Sequence, residues 1–92
     1  MERKYVEYTT NYGDEQIHVK FLDQSHLKIS EGDRISIMCS AWEYTGTVLS
    51  AYHYEREGWF IEIEKDGNGY GYWKQYIDTG FITELNGVSV LS

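Results

Sequence analysis

GWFIEIEK, residues 58–65, alternates without a break: Trp59, Ile61 and Ile63 fall on one side, and Phe60, Glu62 and Glu64 on the other. A period of two marks a strand with one buried face, because successive side chains leave a pleated backbone in opposite directions. The spacing predicts Trp59, Ile61 and Ile63 inward and the two glutamates outward. Upstream, past the turn EREG, the run TGTVLSAYHYE (residues 45–55) reads as a long strand with Val48, Ser50, Tyr52 and Tyr54 on one side and Leu49, Ala51 and His53 on the other. Downstream, past the turn DGNG, the run YGYWKQY alternates Tyr70, Tyr72, Lys74 and Tyr76 with Gly71, Trp73, Gln75 and Ile77. If this run stays extended, Trp73 and Ile77 pack the core, the three tyrosines lie toward the surface, and Gly71 leaves a gap for a neighbouring group.

The same alternation recurs further out. It appears in KYVEYTT, in IHVKF (Ile17, Val19 and Phe21 against His18 and Lys20) and in RISIMC, where Ile35, Ile37 and Cys39 share a face; GFITEL and VSVL end the chain. NYGDE, EREG, DGNG and NG sit between these runs, where Gly and Asn relieve the cost of positive φ. No window sustains helical spacing. The expectation is an all-β domain spanning residues 1–92, a single small β-barrel of six or seven antiparallel strands with at most one short 3₁₀ turn. Residues 1–26 would form an N-terminal hairpin extension and 27–86 the barrel core, since a bent sheet that closes on itself avoids long exposed edges.

A 92-residue domain buries only about 60–65% of the surface of its unfolded chain, so each large side chain counts. Nine Tyr, three Trp and three Phe supply that area while keeping polar tips in reach of water. A single cysteine excludes an internal disulfide, and no run approaches the length of a membrane span; a cytoplasmic location, in a bacterium or an infected host cell, is the expectation. The net charge of −7 and the absence of a basic run argue against direct binding of nucleic acid. Residues 31–66 carry eight acids against three bases, so the middle of the chain carries most of the field.

LKISEGDRISI followed by TGTV resembles the opening of small barrels of the Src-homology-3-like, Tudor and KOW superfold, and GYGYWKQYIDTGFITEL resembles their end, where a Gly-aromatic strand runs through one short turn into a final strand. The chain departs from the polyproline binders of that group in having no proline and no tandem Trp pair. The Tudor resemblance implies an aromatic cage for methylated Lys or Arg, for which Trp42, Tyr44, Tyr70 and Tyr72 are the candidates. A KOW-type RNA binder would carry basic loops, which this chain lacks. In charge and size it is also similar in type to the small anti-CRISPR and anti-restriction proteins of phages and mobile elements.

Catalysis is not expected. Cys39 with His18, His26 or His53 would need an orienting carboxylate and an oxyanion pocket, and its place beside Ile35 and Ile37 reads as a core thiol. The histidines lack ligand spacing, so neither a metal nor a cofactor is expected. DGNGYG is not followed by a helix whose amides could hold a phosphate, and it reads as a hairpin turn. The pairs Glu55/Glu57 and Glu62/Glu64 read as a solvated face.

Two function classes fit. In the first, a non-enzymatic inhibitor presents the acids Glu55, Glu57, Glu62, Glu64 and Asp66, beside the aromatics Trp42, Tyr44, Tyr70, Tyr72 and Tyr76 and the base Lys74, to a nucleic-acid-handling protein of host defence, its carboxylates imitating phosphates. In the second, the rings stack a nucleotide or second messenger while Lys74 or Arg56 holds its anionic group. A Tudor- or KOW-like interaction domain is a further alternative. A membrane partner is not expected, and the oligomeric state, a dimer included, is left open.

Overall fold

Tight turns at residues 13–14, 55–57, 66–67 and 86–87 fold the chain back on itself, so its strands pair antiparallel with their neighbours in sequence. The structure is a computed structural model and describes residues 3–40, 42–67 and 69–91; Ala41 and Asn68, the latter in the expected DGNG turn, lie outside the described residues. Strands β1 (Tyr5–Tyr12) and β2 (Glu15–Leu22) form a separate hairpin. Strands β3 (Arg34–Met38), β4 (Glu43–Tyr54), β5 (Gly58–Lys65), β6 (Gly69–Lys74), β7 (Phe81–Leu85) and β8 (Val88–Ser89) form one sheet in the order β6-β5-β4-β3-β7-β8. One helical turn, α1 (Gln75–Asp78), joins β6 to β7.

The all-β class is the expected one. The sheets are not closed into a barrel: β6 and β8 end the larger sheet. Among the described residues the strands number eight rather than six or seven, the last contributing two residues. Among the described residues no helix is long and apolar enough to cross a membrane.

One face of the sheet buries Ile35, Ile37, Cys39, Tyr44, Val48, Trp59, Ile61, Ile63, Trp73 and Ile82, with Leu27, Ile29 and Val90 packed against them. Trp59, Ile61 and Ile63 point inward as their alternation requires, and Cys39 is a buried thiol whose Sγ lies 3.3 Å from the carbonyl of Trp42. Two expectations fail, each for a local reason. In β4, Val48 pairs with Ile63 but Ser50 pairs with Glu62, so Leu49 is an extra residue, a β-bulge. Beyond it the faces exchange: Ala51 and His53 turn toward the core side, Tyr52 and Tyr54 turn out. The second failure is Ile77, which is 57% exposed. The chain leaves the extended conformation after Lys74 and enters α1, so the alternation ends with Gln75 buried and Ile77 turned to solvent.

Two buried glutamines join the hairpin to the sheet. Gln24 donates from Nε2 to the Ile82 carbonyl (2.8 Å) and accepts the Ile82 N–H at Oε1 (2.7 Å), so its amide acts as one residue of a missing strand beside β7. Gln75 accepts the Trp59 N–H (3.2 Å) and donates to the carbonyls of Leu22 (3.0 Å) and Gly80 (3.1 Å). Trp59 adds its indole N–H to the Gln24 carbonyl at 3.0 Å. Gly58 is required beside this cluster: its φ is +76°, and a Cβ there would collide with the Gln75 amide oxygen.

An orphaned buried backbone group costs about 1–3 kcal/mol. Gln24→Ala and Gln75→Ala, which each orphan at least two, are therefore expected to lower unfolding free energy by at least about 2 kcal/mol, against less than about 0.5 for the exposed Gln16→Ala. Urea denaturation followed by tryptophan fluorescence measures the difference; equal midpoints for Gln24→Ala and Gln16→Ala would contradict this account.

Candidate functional site

The face of β4, β5 and β6 opposite the core is built from cross-strand rows. Tyr52 pairs with Phe60 and Phe60 with Lys74; Ser50 pairs with Glu62 and Glu62 with Tyr72; Thr47 pairs with Glu64 and Glu64 with Tyr70. Directly opposed residues of an antiparallel pair stand close enough for their side chains to touch. The rows therefore interleave tyrosines with carboxylates across three strands. Tyr70 (70%), Tyr72 (69%) and Tyr52 (65%) are mostly exposed, although rings of this size normally find cover. The patch grows at one end through Tyr54, whose ring meets Phe60 edge-on at 4.8 Å, and Tyr76, which stacks on Phe60 at 6.0 Å. Lys74 Nζ lies 5.6 Å from the Phe60 ring centre. At the margin of the sheet β6 pairs only with β5, so one row of its backbone groups lacks a strand partner among the described residues.

The electrostatics are uneven. Glu62, directly across from Tyr72, raises its phenol above its ordinary pKa. Asp66 is drawn away from the field: Arg34 grips it with both terminal nitrogens, Nη1 at 2.8 Å, and holds the carboxyl below its usual range. Glu55 and Glu57 sit in the turn between β4 and β5, and Arg56 between them lies 4.2 Å from the Tyr8 ring of the hairpin. Burial raises the Tyr8 phenol, against the opposing pull of Arg56.

The structure thus brings together Glu62, Glu64, Tyr70, Tyr72, Tyr76 and Lys74 on one face, with Glu55 and Glu57 at one end and the paired Asp66 in the turn at the other. It does not bring Trp42 or Tyr44 to them. Tyr44 is 9% exposed and pairs with the core residue Ile37, on the opposite face from Tyr70 and Tyr72. Burial raises its phenol too. Lys65 Nζ lies 4.7 Å from the Tyr44 ring centre, and the Lys65 side chain also fills the space that Gly71 leaves. The four-ring cage expected for a methylated cation is therefore not assembled, because one member belongs to the core. Trp42 is exposed ahead of β4, its carbonyl accepting the N–H of Cys39. Arg56, one of the two cations expected to hold an anionic group, lies against Tyr8 of the hairpin. Tyr52, Tyr54 and Phe60 escaped sequence reasoning as site residues: the bulge at Leu49 hid the first two, while Phe60 was legible as outward.

No family model matches the chain, and no curated protein or solved structure matches it.

The Arg34–Asp66 pair gives a pH test. A carboxyl whose folded pKa is depressed contributes stability above its unfolded pKa of about 3.9 and loses that contribution as pH falls through the folded value. Asp66→Asn is expected to melt lower than wild type at about pH 7 and level with it at about pH 2. Thermal melts at both pH values decide; a gap of the same size at low pH would remove the ion pair as its cause.

Proposed function

We propose that the protein binds another protein through the tyrosine–carboxylate face of β4, β5 and β6, and that it acts by occupying that partner's surface rather than by chemistry. The observation that carries the reading is the interleaving of exposed Tyr52, Tyr70 and Tyr72 with Glu62 and Glu64 in adjoining rows. Tyrosine buries much area with few rotatable bonds and is enriched at binding hot spots. A Lys or Arg side chain laid across this face meets a ring quadrupole and a carboxylate together. The complementary partner is cationic, and the widest class of proteins with a cationic groove is that which handles nucleic acid. An inhibitor of such a protein, of the anti-CRISPR or anti-restriction type carried by phages and mobile elements, fits the net charge of −7. The acids run the length of β5 from turn to turn, which supports phosphate mimicry; that Asp66 is neutralised by Arg34 shortens the row.

The Src-homology-3-like architecture is supported by the order of parts. A strand following Gly32-Asp33 (β3), a strand carrying Gly46-x-Val48 (β4), a Gly-aromatic strand (β6), one helical turn and a last strand (β7) follow one another, and β7 lies beside β3. On this reading the hairpin of β1 and β2 is an addition ahead of the barrel-like unit.

Wild-type protein immobilised in bacterial lysate is expected to retain a nucleic-acid-handling protein after nuclease treatment and to release it at high salt. Glu62→Lys/Glu64→Lys and Tyr70→Ala/Tyr72→Ala should each weaken that complex by about tenfold or more while far-ultraviolet circular dichroism stays unchanged. Undiminished retention by both double variants would refute this face as the interface.

A further inference from the structure

On a chain of net charge −7, one cleft is lined by basic side chains. It has a volume of about 440 Å³, within the range of small-molecule sites, and lies between the hairpin and the segment that leads from α1 into β7. Arg3, His18 and Lys20 line it, with Tyr5 and Phe81 as its main apolar walls and the buried Phe21 behind them, and among the described residues no carboxylate lines it. His18 Nε2 is held by Glu7 at 2.8 Å; Glu7 also stands opposite Lys20 in the hairpin, but its carboxylate is bonded to His18, and neither Arg3 nor Lys20 is in an ion pair among the described residues. One Arg3 nitrogen reaches the Leu91 carbonyl at 3.3 Å, and Lys20 Nζ lies 5.3 Å from the Tyr5 ring centre. Two cations held beside aromatic walls recognise a ligand that is charged at one end and flat at the other.

The cleft is also preformed. Gln75 Nε2 donates to the carbonyls of Leu22 and Gly80, so one buried amide pins both walls, the β2 end that carries Lys20 and Phe21 and the strand start that carries Phe81. A site whose walls are fixed before binding does not lose loop entropy when it fills. No lining residue belongs to the tyrosine–carboxylate face, so the cleft can be filled while that face is engaged.

We infer that this cleft binds a small aromatic anion, a phosphate monoester or carboxylate on a flat ring body, with Arg3 and Lys20 on the anion and Tyr5 and Phe81 against the ring. The test is a nitrogen-15 NMR titration of the full chain with four probes: adenosine 5′-monophosphate, 2-naphthoate, adenosine and inorganic phosphate. The expected result is saturable binding of at least one aromatic anion, with shifts at residues 18–22 and 79–81. Which of the two saturates identifies the anion as phosphate or carboxylate. Lys20→Glu and Arg3→Glu, both at exposed positions, should weaken it about tenfold or more, and Tyr72→Ala should leave it unchanged. The inference is overturned if neither aromatic anion saturates, if adenosine or inorganic phosphate binds as tightly, or if both charge reversals leave the affinity intact.

Discussion

Gln24 and Gln75 are the only polar side chains among the described residues that are buried outright, and the way their amides are used organises the rest of the molecule. An amide in a small apolar core is a liability unless it is hydrogen-bonded; Gln75 uses two donor bonds and its acceptor, and Gln24 one donor bond and its acceptor. The hairpin of β1 and β2 shares no strand pairing with the larger sheet, so its attachment rests on Val19 and Phe21 beneath it and on these hydrogen bonds. Apolar contact alone would allow the hairpin to slide. Directional bonds to Ile82, Leu22 and Gly80 fix one position. Gln24 also occupies part of the margin of β7 that a further strand could otherwise join.

That attachment gives the protein two surfaces of opposite character. The outward face of β4, β5 and β6 is rich in tyrosine and carboxylate. The cleft under the hairpin is lined by cations and rings. A net charge summed over the chain conceals this division, since Arg3 and Lys20 line the same cleft and Asp66 is cancelled by Arg34 from another strand.

Much of the fold was legible in the sequence because period-two alternation is a local property. Residues 58–65 and 17–21 each declare their buried side within a few positions, and the Gly-containing turns mark where the chain reverses. The errors fall where a local rule was interrupted by something the alternation does not encode. Leu49 is an ordinary strand residue, and nothing about it announces that it will be the unpaired one. Ile77 looks more apolar than Gln75, yet the onset of α1 exposes the first and buries the second. Gln24 gave no signal at all, because its partner is Ile82, 58 residues away. The acidic and aromatic content of the outward face could be foreseen; the exclusion of Tyr44 depended on which side of the sheet it falls, and the basic cleft on residues that only the docked hairpin brings together.

The bulge in β4 carries a further implication. Tyr52 and Tyr54 face outward because Leu49 is accommodated without a partner; were Leu49 drawn into the pairing, Val48, Ser50, Tyr52 and Tyr54 would fall on one side and the tyrosines would turn inward. Loss of Leu49, by contrast, would leave Val48 opposite Ile63 and Ser50 opposite Glu62 in unbroken pairing, with both tyrosines still outward. Deletion of that one residue is therefore a change the aromatic face absorbs.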